Sequence, residues 1–281
     1  MAFNDVALAN EPAIRLASFL GVFALMALWE VAAPRRAQLH GRPLRWSANL
    51  GLLVFNAVLV RLLFPFAAVA FAALAAERGW GLLNNLELPY ALALLLAVVA
   101  MDFAIWLQHV MVHAVPVLWR LHQVHHADPE FDVTTGARFH PLEIILSMLI
   151  KFAVIAVLGA PAFAVLLFEV LLNATAMFNH ANVRLPAAAD GFMRLLLVTP
   201  DMHRVHHSTD PAEANSNFGF NLSLWDRLFG TYRAESRQPQ ERMAIGVAGL
   251  TGDPRCVSLA GMLAIPFTND GNGYAIGHEA R

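Results

Sequence analysis

Three clusters of histidine at helical spacing are the residues of this sequence best suited to chemistry. Side chains three and four residues apart lie on one face of a helix, so each cluster presents its imidazoles together. Eight imidazoles can supply two metal ions with four ligands each, and imidazole suits iron, zinc, copper and nickel. The clusters are His109 and His113, then His122, His125 and His126, and finally His203, His206 and His207.

A core role for these histidines is the alternative to a metal site. A single histidine on an apolar face is usually a hydrogen-bonded core residue. Three clusters, two of them sharing the pattern His-x-x-His-His, are a different case. Without a metal, so many imidazoles in an apolar chain would leave ring nitrogens unpaired, which costs free energy at each one. The pattern therefore predicts a metal centre.

The composition is that of a membrane protein. Of 281 residues, 58% are hydrophobic and 14% are charged, whereas a soluble domain is typically about 25% charged. The net charge of -2 argues against a nucleic-acid partner. The one cysteine, Cys256, excludes an intrachain disulfide and cannot build a cluster of thiolate ligands. Imidazole is therefore the ligand type that this chain offers a transition metal.

Long apolar stretches predict the elements that carry the histidines, because about 20 apolar residues span the hydrocarbon core as a helix. The break Gly159–Pro161 predicts the tip of a helical hairpin inside the last stretch. The second stretch contains Pro65 and reads either as one kinked helix or as a re-entrant pair. The stretches are residues 15–33, 50–76, 90–107 and 142–178. We predict an all-α integral membrane bundle of about four to five transmembrane helices or hairpin segments.

Charge bias predicts the orientation of this bundle. The 34–49 loop carries four arginines and no acidic residue, so the positive-inside rule places it in the cytoplasm. The N-terminus and the 77–89 loop are then external, and the helix that contains His109 runs inward. The hairpin leaves from the cytoplasmic face and returns to it. Every histidine cluster thus reaches one face, where we expect a cytoplasmic, histidine-rich helical cap.

Three regions follow from this organisation. We expect N-terminal transmembrane helices over residues 1–89, a catalytic region over 90–235 and a C-terminal tail over 236–281. Within the last region, the mildly apolar segment 249–266 is expected to pack on the surface and not to cross the bilayer.

Residues 102–232 resemble the fatty acid hydroxylase/sterol desaturase superfamily of integral membrane oxygenases. The three histidine clusters appear in family order and at family-like spacing, which is a more specific signal than any one of them alone. The other matching segments are Asp102-Phe103, Leu118–Leu121, Thr134–Glu143, Asn179–Asn182, Thr199–Met202, Asn217–Asn221 and Trp225–Thr231.

The resemblance implies a centre of two iron ions, molecular oxygen as co-substrate, and hydroxylation or desaturation of a lipid C–H bond. The lipid would be a sterol, a fatty acyl chain or a related molecule. The resemblance also assigns roles to the histidines. The eight clustered ones become metal ligands, His180 becomes a ninth, and His140 becomes a weak ligand or a partner of one. We expect electrons to arrive from a separate protein of the ferredoxin, rubredoxin or cytochrome b5 type.

Acidic residues are needed behind the ligands, because a hydrogen bond to the second ring nitrogen fixes the tautomer of a metal-binding imidazole. The alternative role for each acid is a helix cap or a surface charge, and for Asp201, which follows Pro200, a cap is expected. The candidates are Asp102, Asp128, Asp132, Glu143 and Asp201.

Two other classes of function stay open at this point. One is a membrane zinc-dependent hydrolase, which lacks support because no His-Glu-x-x-His motif is present. The other is a non-enzymatic metal-binding membrane protein such as a carrier, in which histidines tend to stand singly along a path.

Lys151 and Glu169 are placed so that they can pair inside the hairpin; the alternative is that each snorkels or faces other polar groups separately. Each lies nine residues from Ala160 at the predicted tip. At about 1.5 Å rise per residue, the two side chains share a depth of roughly 13 Å on antiparallel helices.

Overall fold

A computed structural model describes residues 3–64, 66–271 and 274–276. These ranges contain no β-strand, which confirms the predicted all-α class. The α-helices in them are α1 (Phe3–Ala9), α2 (Glu11–Ala32), α3 (Arg42–Leu63), α4 (Ala68–Glu77), α5 (Tyr90–Ala114), α6 (Pro116–His126), α7 (Pro141–Leu158), α8 (Ala162–Asn179), α9 (Ala187–Met193), α10 (Pro200–His206), α11 (Pro211–Ala214), α12 (Leu224–Leu228) and α13 (Leu259–Thr268).

Five helical segments in the described part of the chain are long and apolar enough to cross a membrane. They are α2, the α3–α4 stretch, α5, α7 and α8, with mean hydropathy between 1.7 and 2.3. At most 39% of each apolar window is buried within the protein, so most of these side chains face outward. Such outward apolar surface needs lipid around it. The predicted integral membrane bundle is confirmed.

The second predicted stretch forms two helices. α3 and α4 are separated by residues 64–67, of which Pro65 lies outside the described residues. α3 also begins at Arg42, eight residues before the predicted start at residue 50. The apolar pattern missed these two turns because their polar side chains are buried: Arg45 and Asn49 are fully shielded from solvent.

The hairpin of α7 and α8 turns where it was predicted to turn. Gly159 adopts a left-handed φ of 67°, which glycine takes without strain. The loop between α4 and α5 packs on this tip, with the Leu82 N–H donating to the Val157 carbonyl at 2.9 Å. A Cβ at Gly81 would meet the Gly159 nitrogen at 2.0 Å, so the contact requires glycine.

The opposite end of the bundle is joined by buried charges. The Glu30 carboxylate, at the end of α2, accepts the backbone N–H groups of Val133 at 2.7 Å and Asn182 at 2.8 Å. Arg45 of α3 donates to Asp128 at 3.0 Å and also pairs with Asp132. The C-terminal ends of α2, α5 and α8 and the N-terminal ends of α3 and α7 therefore meet at one end. These are the helix directions that the charge bias predicts. Which face of the membrane this end occupies stays a prediction.

The segment after residue 249 packs on the surface of the bundle and buries one side of α13 there. Met262 and Ile265 of α13 are fully shielded from solvent and pack with Trp119 of α6. Tyr274 stacks on the Trp119 ring with centroids 5.4 Å apart. The expectation of surface packing is confirmed: α13 has ten residues, too few to cross the hydrocarbon core, and it covers the apolar outer side of α6.

Candidate metal centre

Two groups of buried histidines lie side by side at the end of the bundle where α5, α6 and α8 meet. Within each group the potential ligand atoms all lie within 4.8 Å of one another. Together they contain the eight clustered histidines and His180, and not His140. The first group is His109, His113, His122, His126 and His206; the second group is His125, His180, His203 and His207.

Helical spacing and short connections position these rings. α5 presents His109 and His113 one turn apart at its last turns. Pro116 starts α6 directly after α5 ends, with its fixed φ suited to the first helical turn. The two helices therefore lie together, and the Nε2 atom of His109 lies 3.2 Å from that of His122. The same separation joins the Nε2 atoms of His113 and His126.

The second group is assembled from three separate segments. His180 follows the last residue of α8, and its Nε2 atom lies 3.2 Å from His125 Nε2 and 3.1 Å from His203 Nε2. α10 supplies His203, and His207 follows the last residue of this helix. The groups also touch: the rings of His126 and His207 stack with centroids 4.4 Å apart.

These nitrogen separations fit metal coordination. With a metal–nitrogen bond of about 2.1 Å, neighbouring ligand atoms are about 3.0 Å apart in an octahedron and about 3.4 Å apart in a tetrahedron. The observed separations of 3.1 and 3.2 Å lie between these values. A cation bound among these atoms would need little rearrangement of the rings.

Backbone carbonyl groups fix the tautomer of three rings. The Nδ1 atoms of His109, His206 and His180 each lie 2.7 Å from a carbonyl oxygen. A carbonyl oxygen only accepts, so each Nδ1 carries the hydrogen and each Nε2 keeps its lone pair. The accepting groups belong to Phe218, Ser216 and Ala176, respectively. These lone pairs face the interior of the two groups.

Side chains orient two further rings. The Nδ1 atom of His122 donates to the Glu143 carboxylate at 2.6 Å. The Nδ1 atom of His113 donates to the Asn215 side-chain oxygen at 3.2 Å. Oxygen acceptors behind metal-binding imidazoles are the usual means of orienting them.

Several buried ring nitrogens have no hydrogen-bond partner among the described residues. An unpaired buried polar atom costs about 1–3 kcal/mol, so a bare nitrogen that faces the other rings calls for a ligand. His206 is the clearest case, because its Nδ1 is bonded to Ser216 and its Nε2 is left bare. The atoms are Nδ1 of His125, His126 and His203, Nε2 of His206, and both nitrogens of His207. The chemistry of this donor set fits two metal ions.

The electrostatic environment keeps the imidazoles neutral, as metal binding requires. Burial lowers the pKa of His180 to about 4. For other ligand candidates, burial and then the neighbouring imidazoles lower the pKa well below the usual value; these are His125, His126, His203, His206 and His207. At neutral pH these six rings are therefore neutral, and each can offer a nitrogen lone pair to a metal.

Of the five acidic candidates, Glu143 is the one that contacts a histidine in the described part of the chain. Asp102 accepts hydrogen bonds from Asn221 and Trp225. Asp128 and Asp132 pair with an arginine of α3. These three carboxylates connect the surrounding segments through hydrogen bonds and ion pairs.

Asp201 does not cap a helix, contrary to expectation. α10 begins after Thr199, and no side chain forms a cap bond there. The Asp201 carboxylate instead pairs with Arg35 at 3.0 Å and Arg204 at 2.5 Å. Two nearby guanidinium groups attract the carboxylate more strongly than the backbone N–H groups of a helix start.

His140 lies outside both histidine groups. Its Nδ1 accepts the Leu142 N–H at the start of α7, and its Nε2 lies 3.4 Å from the Leu263 carbonyl oxygen. His40 is half exposed and bonds to Glu130. His278 lies outside the described residues.

The segment 215–218 has a role in orienting the histidines that the sequence alone did not reveal. It supplies the oxygens that orient His113, His206 and His109. Asn217 adopts a φ of 54°, a left-handed conformation that asparagine tolerates better than most residues. Its side chain donates to the Met202 and Arg233 carbonyls at 3.0 and 2.9 Å. The Asn-Phe-Gly sequence at 217–219 was the available signal, because asparagine and glycine both favour turns.

Asp226 holds this segment in place. Its carboxylate accepts the N–H groups of Phe218 at 2.9 Å and Gly219 at 2.8 Å, and the Trp106 indole N–H at 3.1 Å. Burial raises the pKa of Asp226, and these donors oppose that rise. The Phe218 carbonyl that orients His109 is thus positioned through a buried carboxylate.

A largely apolar cavity of about 220 Å³ opens onto the first histidine group. His109 and His122 form part of its wall, together with Glu143. No histidine of the second group lines it among the described residues. Apolar wall residues include Phe19, Phe23, Leu53, Ile105, Leu172 and Phe220. Helices α2, α3, α5, α7 and α8 all contribute, so the cavity lies inside the bundle.

Comparison with known proteins gives one matching family and two sets of relatives. Residues 94–231 match the family model described as Fatty acid hydroxylase. The ornithine lipid hydroxylase OlsE of Rhizobium tropici is 31% identical over 193 residues, which cover 69% of this chain and 56% of the relative. No solved structure matches the chain significantly.

Alkylglycerol monooxygenases are a second set of relatives. The Xenopus tropicalis protein is 28% identical over 166 residues, covering 57% of this chain and 35% of the relative. The Homo sapiens protein is 29% identical over 147 residues, covering 50% of this chain and 31% of the relative. The chain thus spans between about a third and just over half of these curated relatives. With its histidine clusters inside the matched region, this chain belongs to the fatty acid hydroxylase/sterol desaturase superfamily.

Proposed function

We propose that this chain is a membrane oxygenase that uses molecular oxygen and two iron ions to hydroxylate or desaturate a lipid C–H bond. The observation that carries the proposal is the apolar cavity that ends at His109 and His122. A cavity of this kind places hydrocarbon directly beside a group of potential metal ligands. The catalytic region would be residues 90–235, with the two histidine groups on the cytoplasmic face.

The nine grouped histidines would hold the metals, five around one ion and four around the other. Iron in such a site would supply redox chemistry with oxygen, which zinc does not offer. The protein's part is to keep the imidazoles neutral and oriented. Glu143 and the segment 215–218 fix the tautomers through their hydrogen bonds. The apolar walls exclude water from the reacting region.

The cavity also defines the substrate in general terms. Its walls come from membrane-spanning helices, so a lipid can enter from the bilayer. The names of the relatives give two candidate classes: ornithine lipids, from the Rhizobium tropici hydroxylase, and alkylglycerols, from the monooxygenases. Electrons would be delivered by a separate protein of the ferredoxin, rubredoxin or cytochrome b5 type.

The test combines metal analysis with an isotope. Protein purified without oxygen should contain about two irons per chain, because two ligand groups are present. Membranes that contain the protein, a lipid extract and a reducing system should incorporate one atom of ¹⁸O from ¹⁸O₂ into a lipid. If the product is an alkene, the lipid should instead lose two mass units in an oxygen-dependent reaction.

The alternatives predict different results. A zinc-dependent hydrolase would release lipid fragments without oxygen, and two zincs per chain with no oxygen dependence would overturn the proposal. A metal carrier would change no lipid at all. A variant with His125→Ala is the matched control, because it removes a ligand candidate and leaves the cavity wall intact.

A further inference from the structure

Three buried oxygen atoms of the cavity residues have no hydrogen-bond partner among the described residues. They are Oδ1 of Asn56, Oε1 of Gln108 and Oε2 of Glu143, and all three residues line the cavity. Oxygens of this type accept hydrogen bonds and do not donate them. Several unpaired acceptors in a largely apolar wall indicate a ligand that brings donors.

The orientation of the Asn56 amide is fixed by its surroundings. The side chain is 5% exposed, and its Nδ2 donates to the Phe139 carbonyl at 2.8 Å. Exchanging nitrogen and oxygen would place two acceptors against each other, so Oδ1 is the atom left without a partner. Asn56 therefore presents an acceptor, fixed by the backbone of the segment before α7.

Glu143 places a second acceptor beside the metal ligands. One of its oxygens, Oε1, accepts the His122 N–H at 2.6 Å. The other, Oε2, is buried without a partner. Gln108 precedes His109 on α5 and places a side-chain amide in the same wall, with its Oε1 unpaired. A donor bound to Glu143 Oε2 would lie within a few bond lengths of the imidazole that Oε1 orients.

An unpaired buried acceptor costs about 1–3 kcal/mol, and a ligand that supplies the donor recovers much of that. From these acceptors we infer that the cavity binds its lipid through a hydrogen-bond-donating group, a hydroxyl or an amide N–H, held by Asn56, Gln108 and Glu143. This inference rests on the proposed function and narrows its substrate class. Plain hydrocarbons and lipids with only ester or ether oxygens lack the required donor.

The position of the donor also bears on which carbon reacts. Because the acceptors share a wall with His109 and His122, the carbons next to the donor group come to lie nearest the first histidine group. The remaining chain extends along the apolar wall. Reaction near the polar group, and not at the chain end, is the expected outcome.

Binding of matched lipids to the purified full-length chain tests this inference without turnover. The first pair is N-hexyldodecanamide and hexyl dodecanoate, which differ in an amide N–H. The second pair is 1-hexadecanol and its methyl ether, which differ in a hydroxyl. Affinities are measured anaerobically in detergent micelles, with both lipids of a pair compared at the same mole fraction of lipid in detergent. We expect the donor-bearing member of at least one pair to bind about tenfold more tightly, as one hydrogen bond to a buried acceptor implies. Which pair shows the preference identifies hydroxyl or amide as the donor.

Two variants assign the preference to the proposed residues. Gln108→Met and Asn56→Leu replace a polar side chain by an apolar one of similar size. In each variant the ratio of the two affinities within a pair should fall toward one, while the ester or ether still binds. Asn10→Leu is the matched control, because this exposed asparagine bonds to Val6 outside the cavity, and it should keep the full preference. If Asn56→Leu fails to fold after losing its bond to Phe139, Gln108→Met decides the result.

Equal binding within both wild-type pairs would overturn the inference, and so would an undiminished preference in Gln108→Met. Failure of the proposed function looks different. A chain that keeps the donor preference but incorporates no oxygen would retain this binding site and lose its assignment as an oxygenase. A chain that oxygenates a lipid but shows no donor preference would keep its assignment as an oxygenase and lose the proposed donor-binding site.

Discussion

A buried carboxylate in α8 lies between two cations, and its removal should be the most damaging change in the membrane part of the chain. Glu169 is 4% exposed; its Oε1 lies 2.6 Å from Lys151 Nζ and its Oε2 lies 2.5 Å from an Arg15 guanidinium nitrogen. The pairing of Lys151 with Glu169, which their equal depth allows, is confirmed. Arg15 was not predicted as a partner. Lys151 is 14% exposed and Arg15 is 37% exposed, so the lysine depends more on the carboxylate.

This geometry predicts unequal effects of single substitutions. Glu169→Gln leaves Lys151 buried without its anion and places it near a second cation. Loss of one partner of a buried pair costs about 3–5 kcal/mol, and we expect Glu169→Gln to destabilise by that amount. Lys151→Met should cost about half as much, because Arg15 continues to neutralise Glu169. The double variant Lys151→Met/Arg15→Met leaves a bare buried carboxylate and should cost more than the two single changes added together.

The free energy of unfolding is measured by titrating sodium dodecyl sulfate into protein in mixed micelles, with the fluorescence of the six tryptophans as the signal. Lys151→Met/Glu169→Gln should recover much of the Glu169→Gln loss, since Arg15 is exposed enough to extend toward the membrane interface. Arg61→Met is the matched control, because Arg61 makes no ion pair among the described residues and is exposed. Additivity of Lys151→Met and Glu169→Gln within about 0.3 kcal/mol would refute the reasoning.

Three further predictions concern the metal site, the orientation and the thiol. His206→Ala should lower the iron content from about two to about one per chain, because the first group loses a bare Nε2, whereas His40→Ala should keep both irons; equal loss in the two variants contradicts the site. A reporter inserted at Gly41 should be cytoplasmic and one at Glu87 external; the same side for both excludes the predicted topology. Burial raises the pKa of Cys256 to about 11, so a maleimide at pH 8 should label the folded protein far more slowly than the unfolded one, and equal rates would show an accessible thiolate.

The features that were correctly predicted depend on spacing along the chain. The histidine clusters, the hairpin tip at Gly159 and the depth shared by Lys151 and Glu169 all follow from helical rise and periodicity. Such regularities need no knowledge of the tertiary structure. The grouping of nine histidines into sets of five and four could not be obtained this way, because it depends on how α6, α8 and α10 approach one another.

The features that were missed depend on contacts between distant segments. The role of Asn217 arises from its position between α10 and Arg233, and neither neighbour is close in sequence. The place where α13 packs follows from the apolar outer side of Trp119 and its helix. Arg15 reaches Glu169 only because α2 packs on α8. Each of these contacts has a partner whose identity no local pattern encodes.

The buried charges at the histidine end make the two halves of this chain difficult to exchange between relatives. Arg45 and Glu30 lie outside the region 94–231 that matches the family, yet they satisfy Asp128, Asp132 and two backbone N–H groups inside it. A matched region transplanted without Arg45 would leave Asp128 and Asp132 without their arginine partner. A transplant of the histidine region therefore has to carry α2 and α3 with it, or supply another arginine and another carboxylate at these positions.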